Sequence, residues 1–390
     1  MSYPTIQLKA GREAATGFHH PWVFSGAIEV LPSSVEPGDL VYVADRRGEI
    51  IGTGTYAKGT IAVRIFDFQK ATIDAAWIQS RIQVAWQQRS LLGYGKETET
   101  SGYRLVHGEG DGLPGLVVDV YGEVAVMHIS TLGMDKLLDE VVAALREVIK
   151  PVAIVVKRDG AYGKPESAEV VDGAVPAEVV FSEMGLLFVA DVLRGQKTGF
   201  FLDQKDLRRE LGKYAAGKHV LNLFSYTGAT AVALLKKGAT FVHNIDESQR
   251  ALNIVDRQME LNGIAGTGWR GEKADVFQWL GEKHQAMYDM VVLDPPALMK
   301  TVKEKESAMK AYHFLNRAAL RLLKPGGMLA TSSCSYYLAE EDLAFVLRRA
   351  SVQAGRELHL LASVRQSMDH PWSVYFPEGL YLKSFVFSVE

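Results

Sequence analysis

One cysteine, Cys334, stands in 390 residues. That excludes an internal disulfide framework and any metal site built from several cysteines. Charge of one sign is also in short supply: 43 Lys and Arg against 46 Asp and Glu leave a net charge of −3. This is not the footprint of a protein that coats nucleic acid indiscriminately, although it leaves room for a local basic face. No apolar run reaches the ~18 residues of a membrane helix. The opening MSYPTIQLKAGREAA lacks the basic-then-apolar pattern of a secretory signal. Low-complexity tracts and fixed-period repeats are missing too. A cytoplasmic protein with no membrane partner and no metal is the expectation.

What is present is ordinary globular composition, 47% hydrophobic and 23% charged. At ~100–200 residues per domain, the length predicts two or three domains. Texture changes near 70 and again near 180. Residues 1–70 carry short alternating apolar runs, DLVYVAD (39–45), EIIGTGTY (49–56) and TIAVRIF (60–66), separated by turn residues. They read as a small all-β module. Residues 71–184 mix classes. IDAAWIQSRIQVAWQQRSLLG has helical periodicity, GLVVDVYGEVAVMHIS reads as a hairpin, MDKLLDEVVAALREVI (134–149) as an amphipathic helix, and AIVVKRD as a strand. From 185 to 390 the texture is strand, loop, helix, strand. HVLNLF (219–224), ATFVHNID (239–246) and YDMVVLDPP (288–296) are buried-strand patterns, and LLKPGGMLATSSCS is a turn and a further strand. Alternating strands and helices predict an α/β domain with a mostly parallel, doubly wound sheet.

In such sheets ligands bind beyond the carboxyl ends of the strands. The unusual residues of the last segment sit at those ends. Phe224-Ser225-Tyr226-Thr227-Gly228 follows the first strand, and Asp246 ends the second, 18 residues after Gly228. Asp275-Val276-Phe277 precedes a helix, Asp294-Pro295-Pro296 ends another strand, and Cys334 ends the next. A glycine-bearing turn lets a ligand approach the backbone, and an acid about 20 residues on can bind ribose hydroxyls. Nicotinamide cofactors and S-adenosylmethionine both use this layout. SYTGATA has a single glycine rather than the phosphate-cradling GxGxxG, so a cofactor without phosphates fits better. An ordinary strand–helix turn is the plainer reading of this loop alone. Each proline after Asp294 removes a backbone donor and fixes φ. That holds the aspartate and nearby carbonyls toward a planar group, as in target-base binding by nucleic-acid methyltransferases. A simple strand-ending Pro-Pro is the alternative.

Lone cysteines are often small buried hydrophobes. Cys334 instead falls at the ligand edge, bracketed by Ser332, Ser333 and Ser335, which suit a polar site. Alkylating carbon 5 of a pyrimidine demands a nucleophile. A thiolate adds to carbon 6, carbon 5 becomes enamine-like and takes a methyl group, a base removes the carbon 5 proton, and the thiolate leaves. Only the thiolate attacks, and an unperturbed thiol has a pKa of ~8.5, so the site must promote ionisation. Nitrogen methylation of adenine needs no such cysteine.

These residues resemble the class I methyltransferases that form 5-methylcytosine in 23S ribosomal RNA, of the RlmI type. The resemblance covers nearly the whole chain. GFHHPWVFSGAIE (17–29) is similar to the entry of the family's RNA-binding PUA module, and YRLVHGEGDGLPGLVVDVYG (103–122) to its acidic, glycine-rich motif. KTGFFLDQKDLR (197–208), LNLFSYTG, VVLDPPAL, SSCS and the ending DHPWSVYFPEGLYLKSF (369–385) follow in the family's order and spacing. The resemblance implies a PUA-type domain over 1–70, an α+β middle domain over 71–184 and a Rossmann-like methyltransferase domain over 185–390, with S-adenosylmethionine as cofactor. It implies that Phe224, Ser225, Tyr226, Thr227 and Gly228 line the methionine end and that Asp246 holds the ribose. Asp275, with Val276 beside it, would hold the adenine, and Gln204 would lie close to the cofactor. Asp294, at the cofactor's edge, would hydrogen-bond the cytosine and favour its protonated, electrophilic form, with Pro295, Pro296 and Lys300 along the substrate. Cys334 would attack carbon 6. The implied partner is 23S ribosomal RNA, naked or in a particle, and a homodimer is left open.

There are departures. Many RNA cytosine methyltransferases carry a second cysteine after the aspartate–proline motif, where this chain reads Asp-Pro-Pro-Ala. Another base, or water, must then perform elimination. His243-Asn244 is polar for a buried strand. Residues 300–324 hold seven basic and two acidic side chains, either an RNA-phosphate contact or a solvated helix face. Lys197, Lys205, Arg208 and Arg209 raise the same question. His19, His20 and His370 are read as hydrogen-bonding residues rather than catalysts. The rivals are an RNA N-methyltransferase acting on adenine or guanine, a non-catalytic RNA-binding protein and, last, a small-molecule methyltransferase.

Overall fold

The computed structural model describes residues 2–158, 167–264 and 266–390. The chain forms two compact units: Met1–Gly185 with Ala190–Leu202 and Met368–Gly379, and Leu186–Val189 with Asp203–Ser367 and Leu380–Glu390. No helix among the described residues is long and apolar enough to cross a membrane.

The first unit holds two sheets. Six short strands make one, in the order Trp22–Phe24, Ile61–Asp67, Ile50–Tyr56, Leu40–Ala44, Thr5–Leu8, Ile28–Val30. Alternation sends Ile6, Leu8, Val41, Val43, Val63 and Ile65 into its core. The second sheet runs Ser167–Gly173, Ala153–Arg158, Val124–Ile129, Leu116–Tyr121, Gly102–His107. Helices Ala75–Leu91 and Leu138–Val148 pack their apolar residues into the same core as this sheet. The helix expected over 134–149 is broken: a single turn, Leu132–Asp135, precedes the main helix. The strand AIVVKRD ends at Arg158, and its Asp159 lies outside the described residues.

The acidic motif at 103–122 serves this unit as a cross-link. Asp111 accepts two 2.7 Å bonds from Arg89, and Asp119 accepts two of 2.8 Å from Arg104. Arg89 also donates to the carbonyl of Asp369 at 3.0 Å, and the Asp369 carboxylate accepts the Arg104 N–H at 3.0 Å. A side chain at Gly110 would meet the Pro371 carbonyl at 2.2 Å, so only glycine lets the two segments approach this closely.

Elements are numbered here within the second unit alone. Its strands are β1 His219–Leu223, β2 Phe241–Asp246, β3 Trp269–Lys273, β4 Tyr288–Leu293, β5 Leu323–Ser333, β6 Leu358–Val364 and β7 Lys383–Val389. Its helices are α1 Lys205–Gly212, α2 Ala229–Lys236, α3 Gln249–Leu261, α4 Val276–Gly281, α5 Lys305–Leu322 and α6 Glu340–Ala354. The sheet order is β3-β2-β1-β4-β5-β7-β6. The first five strands are parallel, and β7 runs antiparallel to both β5 and β6. The strand YDMVVL is apolar apart from the half-buried Asp289 near its start, as in a sheet covered on both faces. The turn expected at LLKPGG is absorbed into β5 as an irregularity: Tyr288 pairs with Leu323, then Met290 with Met328. The polar pair in β2 is answered in part inside the sheet, with Asn244 Nδ2 left buried and without a partner. Asn244 accepts from Asn222 at 2.9 Å, and His243 lies 2.9 Å from the Tyr288 hydroxyl and 3.0 Å from Glu272. Build-up proceeds outward from β1 in one direction and from β4 in the other. The switch point, where α/β sheets bind ligands, is therefore the crevice beyond Leu223 and Leu293.

Candidate active site at the carboxyl ends of the strands

The loop after β1 is strained in a directed way. Phe224, Tyr226 and Gly228 have φ of 58°, 46° and 76°. The first two are costly for residues with a side chain. Asp246 offsets part of that cost, accepting the Tyr226 N–H at 2.8 Å and the Ser248 N–H at 2.9 Å. Both carboxylate oxygens are thus fixed while keeping further lone pairs. At Gly228 a Cβ would meet Val255 of α3 at 2.9 Å, so the positive φ and the helix packing both call for glycine there. Ser225 Oγ and Thr227 Oγ1 are buried with no hydrogen-bond partner, the kind of atom a bound ligand satisfies. Register sets Asp246 level with Lys273, and Asp275 lies two residues beyond it. Asp275 caps α4 through Oδ1, which accepts the Gln278 N–H at 2.8 Å, and the buried Val276 opens that helix. The rim offers carboxylates, hydroxyls and a shaped loop. S-adenosylmethionine, which has sugar hydroxyls and no phosphate, fits that donor and acceptor set.

Across the switch point stands a carboxylate pair. Gln204 donates to Asp294 Oδ2 at 2.8 Å, and its own Oε1 is buried without a partner. Asp203 accepts the Tyr381 hydroxyl at 2.7 Å on Oδ2, and its Oδ1 is likewise buried and unsatisfied. Burial pushes the Asp294 pKa up to about 7, helped by the negative charge of Asp203 and opposed by the Gln204 amide and Arg208. Near neutral pH Asp294 can therefore donate a proton as well as accept a bond. Its neighbour Pro295 is buried and Pro296 exposed.

The β4–β5 register pairs Leu293 with Thr331. Asp294 thus leaves β4 at the level of Ser332, two residues before the half-buried Cys334. That separation is about 7 Å along the strand and ~4.8 Å across it. The serines around Cys334 were expected to make its surroundings polar for a ligand. They are instead spent on the scaffold. Ser332 bonds Ser384 at 2.8 Å, and the buried Tyr312 hydroxyl bonds Ser333 at 2.8 Å and Ser335 at 3.2 Å. Ser335 also accepts the Met299 N–H at 3.1 Å. Tyr312 is close enough to Cys334 and Asp294 that each, when charged, raises its pKa, after the larger effect of burial. Lys383, buried at the start of β7, donates to the Ser335 carbonyl at 3.0 Å. Asp203, Tyr312, Tyr381 and Lys383 are the neighbours that sequence reasoning missed. FLDQ and YLKSF held three of them as unassigned letters, while Tyr312 gave no signal in its helix.

The basic run is mostly accounted for. Lys305 pairs with Asp342, Lys310 with Glu306 and Lys324 with Asp289. Lys300 and Lys303 are exposed and form no ion pair among the described residues. Lys205 and Arg208 are buried, which removes them from any phosphate-contacting face, and Arg209 pairs with Asp206 at 2.9 Å. In the first unit, His20 lies 3.3 Å from Glu378, His370 is buried against Asp369 at 3.0 Å, and His19 stacks on Phe68.

A family model described as S-adenosylmethionine-dependent methyltransferase matches residues 151–372, and a PUA-like domain model matches 6–68. The chain is 34% identical to the protein named ribosomal RNA large subunit methyltransferase I from Klebsiella pneumoniae (strain 342), over 98% of each chain. It is equally similar to the protein of the same name from Salmonella choleraesuis (strain SC-B67), over 98% of this chain and 97% of that one. A Streptococcus mutans structure described as a SAM-dependent methyltransferase superposes with a TM-score of 0.85 at 23% identity, covering 99% of this chain and 100% of the other. A structure described as a methyltransferase complexed with SAH gives 0.86 at 23% identity, over 100% of both. At that identity they speak for the α/β fold alone. The chain belongs to the S-adenosylmethionine-dependent methyltransferases, in the family of ribosomal RNA large subunit methyltransferase I.

Proposed function

We propose that this protein methylates carbon 5 of a cytosine in large-subunit ribosomal RNA, with Cys334 as the nucleophile. The substrate class follows from the name its relatives carry. The position on the base follows from one observation: a cysteine and a protonatable aspartate stand at adjacent strand ends beyond the switch point. Gln204, Phe224 to Gly228, Asp246, Asp275 and Val276 would hold the cofactor, whose sulfonium supplies the methyl group that carbon 5 receives. Asp294, protonated, donates to the cytosine ring and withdraws electron density from carbon 6. The Cys334 thiolate uses its electron pair to form a bond to carbon 6, and the ring's π pair moves toward carbon 5. After methylation the carbon 5 proton is taken by a base or by water, the double bond re-forms and the thiolate departs. The base must leave its stack for the sulfur to reach carbon 6. Residues 1–70 would bind RNA, and residues 71–184 would position it for the domain over 185–390.

The test uses ribosomal RNA in which 5-fluorocytosine replaces cytosine. Fluorine cannot leave as a proton, so the adduct is trapped. A covalent complex that survives denaturation, needs S-adenosylmethionine and vanishes in Cys334→Ala is the expected result. Methyl transfer to unmodified RNA without any trapped adduct would instead favour methylation at nitrogen.

A further inference from the structure

The sheet sets one more charged group against Cys334. Antiparallel pairing places Lys383 directly opposite Ser333, the residue before the cysteine. Its ammonium donates to the carbonyl of Ser335, the residue after it, at 3.0 Å. The lysine side chain therefore runs alongside Cys334, from the level of one neighbour to the backbone of the other. Only 5% of Lys383 is exposed.

A buried ammonium is costly unless an anion or a full set of acceptors compensates it. Lys383 has one neutral carbonyl and, among the described residues, no carboxylate within ion-pair distance. The charged groups around it are few. Burial holds the Lys383 pKa below that of an ordinary lysine, and Arg365, a like charge that also pairs with Glu340, lowers it further. The negative form of Cys334 favours the ammonium, and Glu340 does so more weakly. From α5 the Tyr312 hydroxyl, which burial keeps neutral, lies close enough to feel the charge of Cys334 and of Asp294. The sulfur is thus the anion that this buried cation has available.

We propose that Lys383 holds Cys334 as a thiolate near neutral pH, acting on the reaction through the cysteine rather than through substrate. The S–H bond breaks, the proton passes to bulk water, and Lys383 keeps its own three protons. The inference gives the proposed nucleophile its activation, so it rests on that reading for its purpose, but the ionisation itself can be measured without RNA.

Because the chain has one cysteine, intact-mass measurement of iodoacetamide alkylation reads Cys334 alone. We expect the alkylation rate of the full-length protein to rise with a pH midpoint well below the ~8.5 of an ordinary thiol. Lys383→Met should raise that midpoint by about one unit or more, slowing alkylation at pH 7 roughly tenfold, and Lys383→Arg should restore most of it. Calorimetric binding of S-adenosylmethionine checks that each variant is folded. A wild-type midpoint at or above that of an ordinary thiol overturns the proposal without any variant. So does an unmoved midpoint in Lys383→Met, or an arginine variant that behaves like methionine. A trapped 5-fluorocytosine adduct with an unmoved midpoint would sink the lysine's role and spare the nucleophile. A lysine-dependent midpoint with no adduct would do the reverse.

Discussion

Buried charge is handled in opposite ways in the two units. In the first, Asp111 is gripped by Arg89 and Asp119 by Arg104, both through paired hydrogen bonds. In the second, Asp294 has a neutral amide, Asp203 a phenol and one bare oxygen, and Lys383 a backbone carbonyl. Loss of solvation raises the Asp294 pKa and the neighbouring negative charge of Asp203 adds to it, so that it reaches about 7. Matched charges tie segments together. Mismatched charges leave groups able to change protonation or attack. The same residue types are architecture in one place and chemistry in the other, and pairing decides which.

That contrast breaks most visibly at the sulfur. Cys334→Ala should lower methyl transfer by about a thousandfold or more, because no other group on these strand ends can form the carbon 6 bond. Its melting temperature should fall modestly: the scaffold serines and Tyr312 keep their bonds, while the buried Lys383 loses the charge beside it. Arg89→Met should show the mirror image. It strands Asp111 in the interior, and such a loss costs about 3–5 kcal/mol of stability. Denaturant unfolding would detect it, while the variant's folded fraction should still bind S-adenosylmethionine. If Arg89→Met proves neutral to stability, the pairing in the first unit is not what holds its segments.

Asp294→Asn sharpens the comparison through pH. The folded-state pKa of about 7 lies above the ordinary 3.8. Between those values the folded chain binds a proton that the unfolded chain has released. Stability therefore falls as pH rises through that window. The asparagine variant lacks this slope, so its melting temperature should match the wild type near pH 4 and exceed it at pH 8. Activity should move the other way, with kcat/KM down about a hundredfold. The alkaline limb that the wild type shows near pH 7 should also disappear. A melting gap that stays constant from pH 4 to 8 would mean that Asp294 titrates normally.

How much of this was legible in the sequence follows from the range of each signal. The parallel sheet could be read because apolar strand runs and turn residues are local. Asp246, Asp294 and Cys334 could be placed at strand ends for the same reason. Lys383 could not be placed beside Cys334, because an antiparallel strand from the far end of the chain brings it there. Tyr312 lies on the buried face of α5, where one more aromatic in an amphipathic pattern carries no message. What spacing leaves out has a common cause. Gly228, the serines around Cys334, and Lys205 and Arg208 each have a packing or interior role that polar or flexible residues do not announce. Their partners, Val255, Tyr312 and the interior of α1's surroundings, are tertiary and leave no trace in spacing.

The smallest expected effect lies on the surface and tests the same rule there. Lys300 and Lys303 follow the Asp-Pro-Pro turn, exposed and without an ion pair among the described residues, while Lys310 on the same basic run is already paired with Glu306 at 2.7 Å. If pairing decides what a charge does, only the unpaired lysines are available to RNA phosphates. Lys300→Ala with Lys303→Ala should weaken RNA binding several-fold and reduce the slope of log K against log salt by ~0.7 for each lost single-strand contact. Lys310→Ala should change neither the affinity nor the slope, because its charge is largely answered within the helix and screened there. Binding titrations at three salt concentrations separate the cases. Equal losses from all three lysines would mean that RNA senses the net charge of the run, and that pairing matters only where water is excluded.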